Sequence, residues 1–208
     1  MQENNEGLRE RKRRDTRERI VDAAMRLVHE RGFDAVTVEN ICAAADISRR
    51  TFFNYMDSKD EAILGPLPYQ ISDKTIETIA TTPSDNLLDL IFTHIEIRPD
   101  VLSRTQLARR REILADNPSL AGAAYVRKAE LLSRLTQAVA SHFEAFPQDR
   151  KLENAPVSIE VNAIVNLFYV AVATYLSNPD FPASEPPGPA ALRLAARFHT
   201  DLAKEMTW

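Results

Sequence analysis

Ser48-Arg49-Arg50-Thr51 sets two guanidinium groups between two hydroxyls, and Asn54 follows one helical turn after Arg50 and Thr51. A guanidinium can hold O6 and N7 of guanine bidentately, a carboxamide can do the same for N6 and N7 of adenine, and hydroxyls suit phosphate oxygens. On a merely structural corner of a helical domain, mixed Glu and Lys would be expected in place of Arg-Arg-Thr. Upstream, Arg9, Arg11, Lys12, Arg13, Arg14, Arg17 and Arg19 stand against Glu10, Asp15 and Glu18, a local charge of +4 in a chain whose 26 basic and 30 acidic residues sum to −4. A basic end on an acidic body is the pattern of a chain that meets a polyanion through one small region, although a charge run alone is more often a solvated face.

These side chains need elements to hold them. All 12 prolines lie at or beyond Pro66, so between Gly7 and Gly65 the chain is interrupted only by Gly32 among strong breakers. Ile20, Ala23, Ala24, Leu27 and Val28 recur on one helical face and predict a first helix from Thr16 to about Arg31. Val38, Ile41 and Ala45 predict a two-turn second helix capped by Thr37. Asp46-Ile47-Ser48 breaks the pattern, and Ser48 caps a third helix over 49–56 that carries Phe52, Phe53 and Tyr55. Ser58-Lys59-Asp60-Glu61 has the form of a reciprocal capping box opening a fourth helix. Two short helices separated by a three-residue turn fit a helix-turn-helix unit.

Gly65-Pro66-Leu67-Pro68 is expected to end the fourth helix and to act as a domain joint. Beyond it, helices are expected over 69–80, 86–97, 101–115, 119–146, 158–176 and 190–206, with a proline-rich loop at 181–189. Leu131, Leu135, Val139 and Phe143 stripe the longest of them. The fold class is therefore all-α.

Other chemistries find little support. Cys42 is the single cysteine and His29, His94, His142 and His199 have no metal-ligand spacing, so neither a disulfide nor a metal site is expected. No Ser-His-Asp set, carboxylate pair or glycine-rich phosphate loop argues for an all-α enzyme. The polar start and the interrupted apolar run at 163–173 lead to the expectation of no membrane span and a cytoplasmic location. Cys42 reads as a packed core thiol, without the basic neighbour that a redox sensor needs.

The stretch TRERIVDAAMRLVHERGFDAVTVENICAAADISRRTFFNYMDSKDEAI, Thr16 to Ile63, resembles the N-terminal DNA-binding domain of the tetracycline-repressor family of bacterial transcriptional regulators. The resemblance implies three domains: a basic N-terminal arm at 1–15, a helix-turn-helix DNA-binding domain at 16–65, and a helical ligand-binding and dimerisation domain at 66–208. It implies phosphate contacts by Thr37, Tyr55 and Lys59 and base reading by Arg49, Arg50, Thr51 and Asn54, with Ser48, Arg11, Arg13 and Arg14 completing the DNA-binding set. Phe53 stands where the family usually has a phosphate-contacting tyrosine, and Asp46 replaces the usual turn glycine. Cys42 replaces a small alanine and Met56 a phenylalanine.

The same resemblance implies a homodimer paired through its last two helices, a double-stranded operator with an inverted repeat, no cofactor, and a small-molecule effector that releases DNA. Polar side chains in the otherwise apolar C-terminal helices, His94, Gln106, Arg110, Tyr125, Asn162, Asn166 and Tyr169, are the candidate effector contacts. Relatives with a similar SRRTFFNY segment resemble regulators that sense acyl-CoA-like molecules. The rival readings are an activator, an all-α enzyme, a ligand-binding protein without specific DNA recognition, and a polycation that coats anionic surfaces.

Overall fold

The computed structural model describes residues 7–65, 67, 69–97, 104–178, 181 and 188–206. Among them run α1 (Leu8–Arg31), α2 (Val38–Ala45), α3 (Arg49–Phe53), α4 (Lys59–Leu64), β1 (Tyr69–Gln70), α5 (Asp73–Thr81), α6 (Leu87–His94), β2 (Glu96–Ile97), α7 (Arg104–Asp116), α8 (Pro118–Ala145), α9 (Val157–Ser177) and α10 (Pro189–Glu205), with one 3-10 turn at Pro147–Asp149. The architecture is helical, as its patterning predicts. Thr37, Ser48, Ser58, Ser72 and Asn86 each accept the backbone N–H three residues on, satisfying a donor that every helix start leaves orphaned.

Four local expectations change. α1 begins at Leu8, so the basic segment read as an arm is the first turns of a helix; Leu-Arg-Glu-Arg-Lys-Arg-Arg holds only good helix formers. α3 stops at Phe53, and Asn54 is its C-cap. The predicted box at α4 is displaced: Ser58 Oγ accepts from the Glu61 N–H, but the Glu61 carboxylate accepts from Asp57 N–H at 2.6 Å, one residue before the cap. The helices expected from Tyr69 and up to Ile97 give way to a two-residue antiparallel ladder, with Tyr69 opposite Ile97 and Gln70 opposite Glu96. Tyr69 and Ile71 are buried around exposed Gln70, the period-two alternation of a strand, and helix starts only where Ser72 supplies a cap.

Contacts divide the chain into two compact units. The first joins Met1–Pro68 to Pro99–Val126, so a single cut near residue 65 does not describe it: the chain returns to this unit after leaving it. Its core gathers Ile20, Ala24, Met25, Ile41, Phe52 and Ile63 with Ile113 of α7 and Leu120 of α8. Of the expected joint, Pro66 and Pro68 lie outside the described residues, as do 182–187 of the expected proline-rich loop.

The second unit joins Tyr69–Arg98 to Arg127–Trp208. Within it α9 packs against α6 and α10, burying Val161, Val165, Phe168, Ala171 and Val172. The stretch Val157–Leu176 is long and apolar enough to cross a membrane by length and composition, more so than the sequence reading allowed, yet it serves here as a core helix. Arg193 of α10 forks onto both carboxylate oxygens of Asp89 on α6. Buried Glu160 closes the α8–α9 connection, accepting from Arg150 Nε at 3.2 Å and from the backbone N–H groups of Lys151 and Leu152.

Tyr69 is 6% exposed and sits edge-on to Phe168. Burial first, and the neighbouring Tyr169 second, push its hydroxyl up to about 12 from 10.0. The unfolded chain ionises this phenol at lower pH than the folded chain does. Its contribution to stability is therefore fully present below pH 10 and disappears as the pH rises toward about 12. Alkaline unfolding followed by circular dichroism should show this loss in the parent protein, and Tyr69→Phe should flatten the profile across that window.

Candidate nucleic-acid interface

The turn between α2 and α3 is built on Asp46, whose φ of 53° and ψ of 55° place it in the left-handed region. Aspartate tolerates that conformation better than most residues, so the usual glycine is dispensable here. Ile47 N–H returns to the Cys42 carbonyl at 3.0 Å, closing the turn. Ser48 then caps α3 twice over, accepting from Thr51 N–H at 3.0 Å and pairing hydroxyl to hydroxyl with Thr51 at 2.9 Å.

α3 has only five residues, too few to persist by propensity. Fully buried Phe52 anchors it in the core, and Met56 is buried beside the following turn. That anchoring turns Arg49, Arg50, Phe53 and Asn54 outward, with Ser48 exposed and Thr51 and Tyr55 half-buried. Of the base-reading set expected from sequence, Arg49, Arg50 and Asn54 are exposed and Thr51 is half-buried. Thr37 and Asn40 exchange side-chain to backbone bonds at 3.1 and 3.2 Å at the start of α2.

The remaining basic residues divide by what already holds them. Lys59 donates to the carbonyls of Phe33 and Val36 at 2.9 and 3.0 Å and lies 3.9 Å from the Phe33 ring centroid, so two of its three N–H groups brace the α1–α2 connection. Arg17 donates to the Tyr55 carbonyl at 3.1 Å, tying α1 to the turn after α3. Arg11 and Arg13 are exposed on the first turns of α1, and Arg14 lies 3.9 Å from Glu18.

Sequence reasoning passed over Glu39. Its carboxylate lies 2.9 Å from Arg49. A backbone hydrogen bond at the start of α2 is the largest cause that holds its pKa below the usual carboxylate range; desolvation opposes it, and Arg49 and then the Thr37 side chain add smaller lowering effects. Arg49 also stands 5.9 Å over the ring of Phe53. An acidic residue in the first turn of a helix is an ordinary dipole partner, and ten positions separate it from Arg49, so no local signal announces the pair. Cys42 is buried and unpaired, and burial, with Glu39 nearby, raises its thiol pKa, which makes it a poor nucleophile. No cluster of metal-ligating side chains occurs among the described residues.

The candidate effector contacts do not form one group. Gln106, Arg110 and Tyr125 belong to the first unit, where Gln106 donates to Asp22 at 3.3 Å and Arg110 to the Leu64 carbonyl at 3.0 Å, while Tyr125 is 65% exposed. His94, Asn162, Asn166 and Tyr169 belong to the second. There the first three are exposed, His94 Nδ1 lies 3.0 Å from the Leu90 carbonyl, and half-buried Tyr169 receives Lys128 Nζ at 3.4 Å on its hydroxyl and at 4.5 Å from its ring centroid.

Residues 20–63 match the family model of bacterial regulatory proteins, tetR family. The chain is 41% identical over 64 residues to the HTH-type transcriptional regulator TcmR of Streptomyces glaucescens, a match covering 31% of this chain and 28% of that protein. Among solved structures, Salmonella enterica GusR aligns over 97% of this chain and all of its own, at 15% identity and a TM-score of 0.38. A Mesorhizobium loti chain aligns over 91% of this one and 95% of its own, at 17% identity and a TM-score of 0.43. The matched segment holds α2, α3, their left-handed turn and the outward arginines, and it is this segment of the chain that is similar to the tetR family of bacterial regulatory proteins.

Proposed function

We propose that the chain is a DNA-binding transcriptional regulator that acts in the cytoplasm as a homodimeric repressor. The observation that carries this reading is the outward presentation of Arg49, Arg50 and Asn54, with Thr51 half-buried beside them, on a short helix and its C-cap whose inner face is pinned by Phe52. Dimerisation is supported by the apolar surface left on α9, α10 and the C-cap of α10, where Ile159, Phe198, Leu202 and Met206 are 53%, 48%, 62% and 51% exposed. A two-fold axis through that surface would bury it and present two recognition helices to an inverted repeat. The second unit, rich in helices and carrying the Lys128–Tyr169 pair, suits a small-molecule effector that releases the operator. His94, Asn162, Asn166 and Tyr169, with Gln106, Arg110 and Tyr125, remain its proposed contacts, and an acyl-CoA-like molecule its proposed class.

Selection of duplexes from a random pool, followed by footprinting, tests the reading. The expected result is one short, two-fold symmetric sequence protected on two half-sites about one helical turn apart. Arg50→Ala should relax preference at one symmetric base pair and cost about 1–3 kcal/mol per half-site. Loss of affinity that is uniform across sequences would make Arg50 a phosphate contact, and indiscriminate coating of every duplex would leave only a polycation.

A further inference from the structure

Toward the phosphate backbone an acidic side chain works against binding, because the carboxylate repels the phosphates around it. Glu39 nonetheless stands beside the base-reading set. Its Oε1 lies 2.9 Å from an Arg49 terminal nitrogen, with both side chains more than half exposed. So exposed a pair adds little to folding stability, and its consequence must be sought in what Arg49 is free to do.

The guanidinium is held from two sides. Glu39 takes one, and the Phe53 ring, 5.9 Å away, takes the other. Phe53 is in turn set edge-on against buried Phe52, with 5.3 Å between ring centroids and an interplanar angle of 85°. The chain of contacts therefore runs from the core through two rings to the charged group. An arginine without such restraint reaches the nearest phosphate of any sequence, whereas one whose carboxylate partner must be given up does so only at a cost. A guanidinium has five N–H donors in a rigid fork, so Glu39 can hold it and leave an edge for a base.

Resting on the DNA-binding reading above, we propose that Glu39 is a specificity-determining positioning residue: by holding Arg49 against Phe53 it keeps the guanidinium off the phosphate backbone, giving up affinity for DNA in general and widening the gap between operator and random duplex.

The test uses the full chain and two probes, a duplex selected by the parent protein from a random pool and a scrambled duplex of the same length and composition. Glu39→Gln should bind the scrambled duplex more tightly, by roughly two- to fivefold per half-site, the range that exposed ion pairs span. The salt dependence on that duplex should steepen by about one phosphate per protomer, since the freed Arg49 neutralises one. The selected-to-scrambled affinity ratio should fall. In an Arg49→Ala background the same change at Glu39 should alter neither ratio nor slope.

Equal tightening on both duplexes with an unchanged salt slope would reduce Glu39 to a plain surface charge and overturn the proposal. So would an effect that persists without Arg49, the signature of Glu39 itself accepting from a cytosine amino group. Failure of the DNA-binding reading is distinct, because then the parent protein selects no duplex at all. Circular dichroism of each variant confirms that the helices are intact.

Discussion

Phe52→Ala is expected to destabilise the first unit by about 3–5 kcal/mol and to abolish selection among duplexes. Phe52 is fully buried, and it belongs to a helix of five residues. A helix that short owes its existence to tertiary anchoring, since its nucleation cost exceeds what one turn of hydrogen bonds returns. Removing the ring leaves a cavity beneath the very residues that face outward. Arg49 and Arg50 would keep their charge and lose their direction. The variant should therefore retain salt-dependent, sequence-indifferent affinity for DNA while its footprint on the selected duplex disappears. Phe52→Leu fills most of the same volume, and should cost less and keep the footprint. Urea unfolding and footprinting, run on both variants, separate the two effects. A Phe52→Ala protein that still protects one symmetric sequence would show that the turn and the Ser48 cap suffice to orient α3.

The helix starts were legible because they are local. Thr37, Ser48, Ser58 and Asn86 announce themselves by side-chain chemistry within three residues of the donors they satisfy, and the amphipathic spacing of α1, α8 and α10 spans many turns. The end of α3 was not legible. Phe53-Asn54-Tyr55-Met56 is compatible with one more helical turn, and what stops it is the packing of Met56 and the hold of Arg17 on the Tyr55 carbonyl. The β1–β2 ladder escapes sequence patterning because two residues per strand are too few for alternation to stand out, and pairing joins Tyr69 to Ile97 and Gln70 to Glu96, far apart along the chain. The basic segment was read by its charge as an arm, although its helix-forming residues argue for continuing α1. For the interface, residue types identified the outward set, but the Glu39–Arg49 pair and the commitment of Lys59 to two carbonyls depend on how α2, α3 and α4 meet. The proposed effector contacts have the weakest basis in the sequence. Polarity inside an apolar helix marks a buried group only when the residue faces inward, and Asn162 and Asn166 face out.

In the second unit the largest single loss is expected from His142→Ala, about 3–5 kcal/mol. The sequence offered this residue only as one of four histidines without metal spacing. It is fully buried, and both ring nitrogens are occupied. Nδ1 lies 2.9 Å from the Ile79 carbonyl in the last turns of α5, and Nε2 lies 3.1 Å from Oδ2 of Asp149 in the 3-10 turn. The same Asp149 oxygen accepts the Ser84 N–H at 2.8 Å. One imidazole therefore joins α8, α5 and the two loops that follow α5 and α8. A carbonyl can only accept, so Nδ1 is the donor to Ile79. Alanine removes a ring that packs on Phe143 and Phe146, whose centroids are 5.7 and 5.2 Å from it, takes the imidazole donor from the Ile79 carbonyl and leaves the Asp149 carboxylate with the Ser84 N–H. Asp149→Asn is the milder change. The amide oxygen can still accept from Ser84, and the ring stays in place, so the expected cost is about 1–2 kcal/mol. Urea unfolding of the two variants gives the ordering directly. If Asp149→Asn cost as much as His142→Ala, the ion pair would dominate. If His142→Ala cost under about 1 kcal/mol, the imidazole would be no more than packing on two phenyl rings.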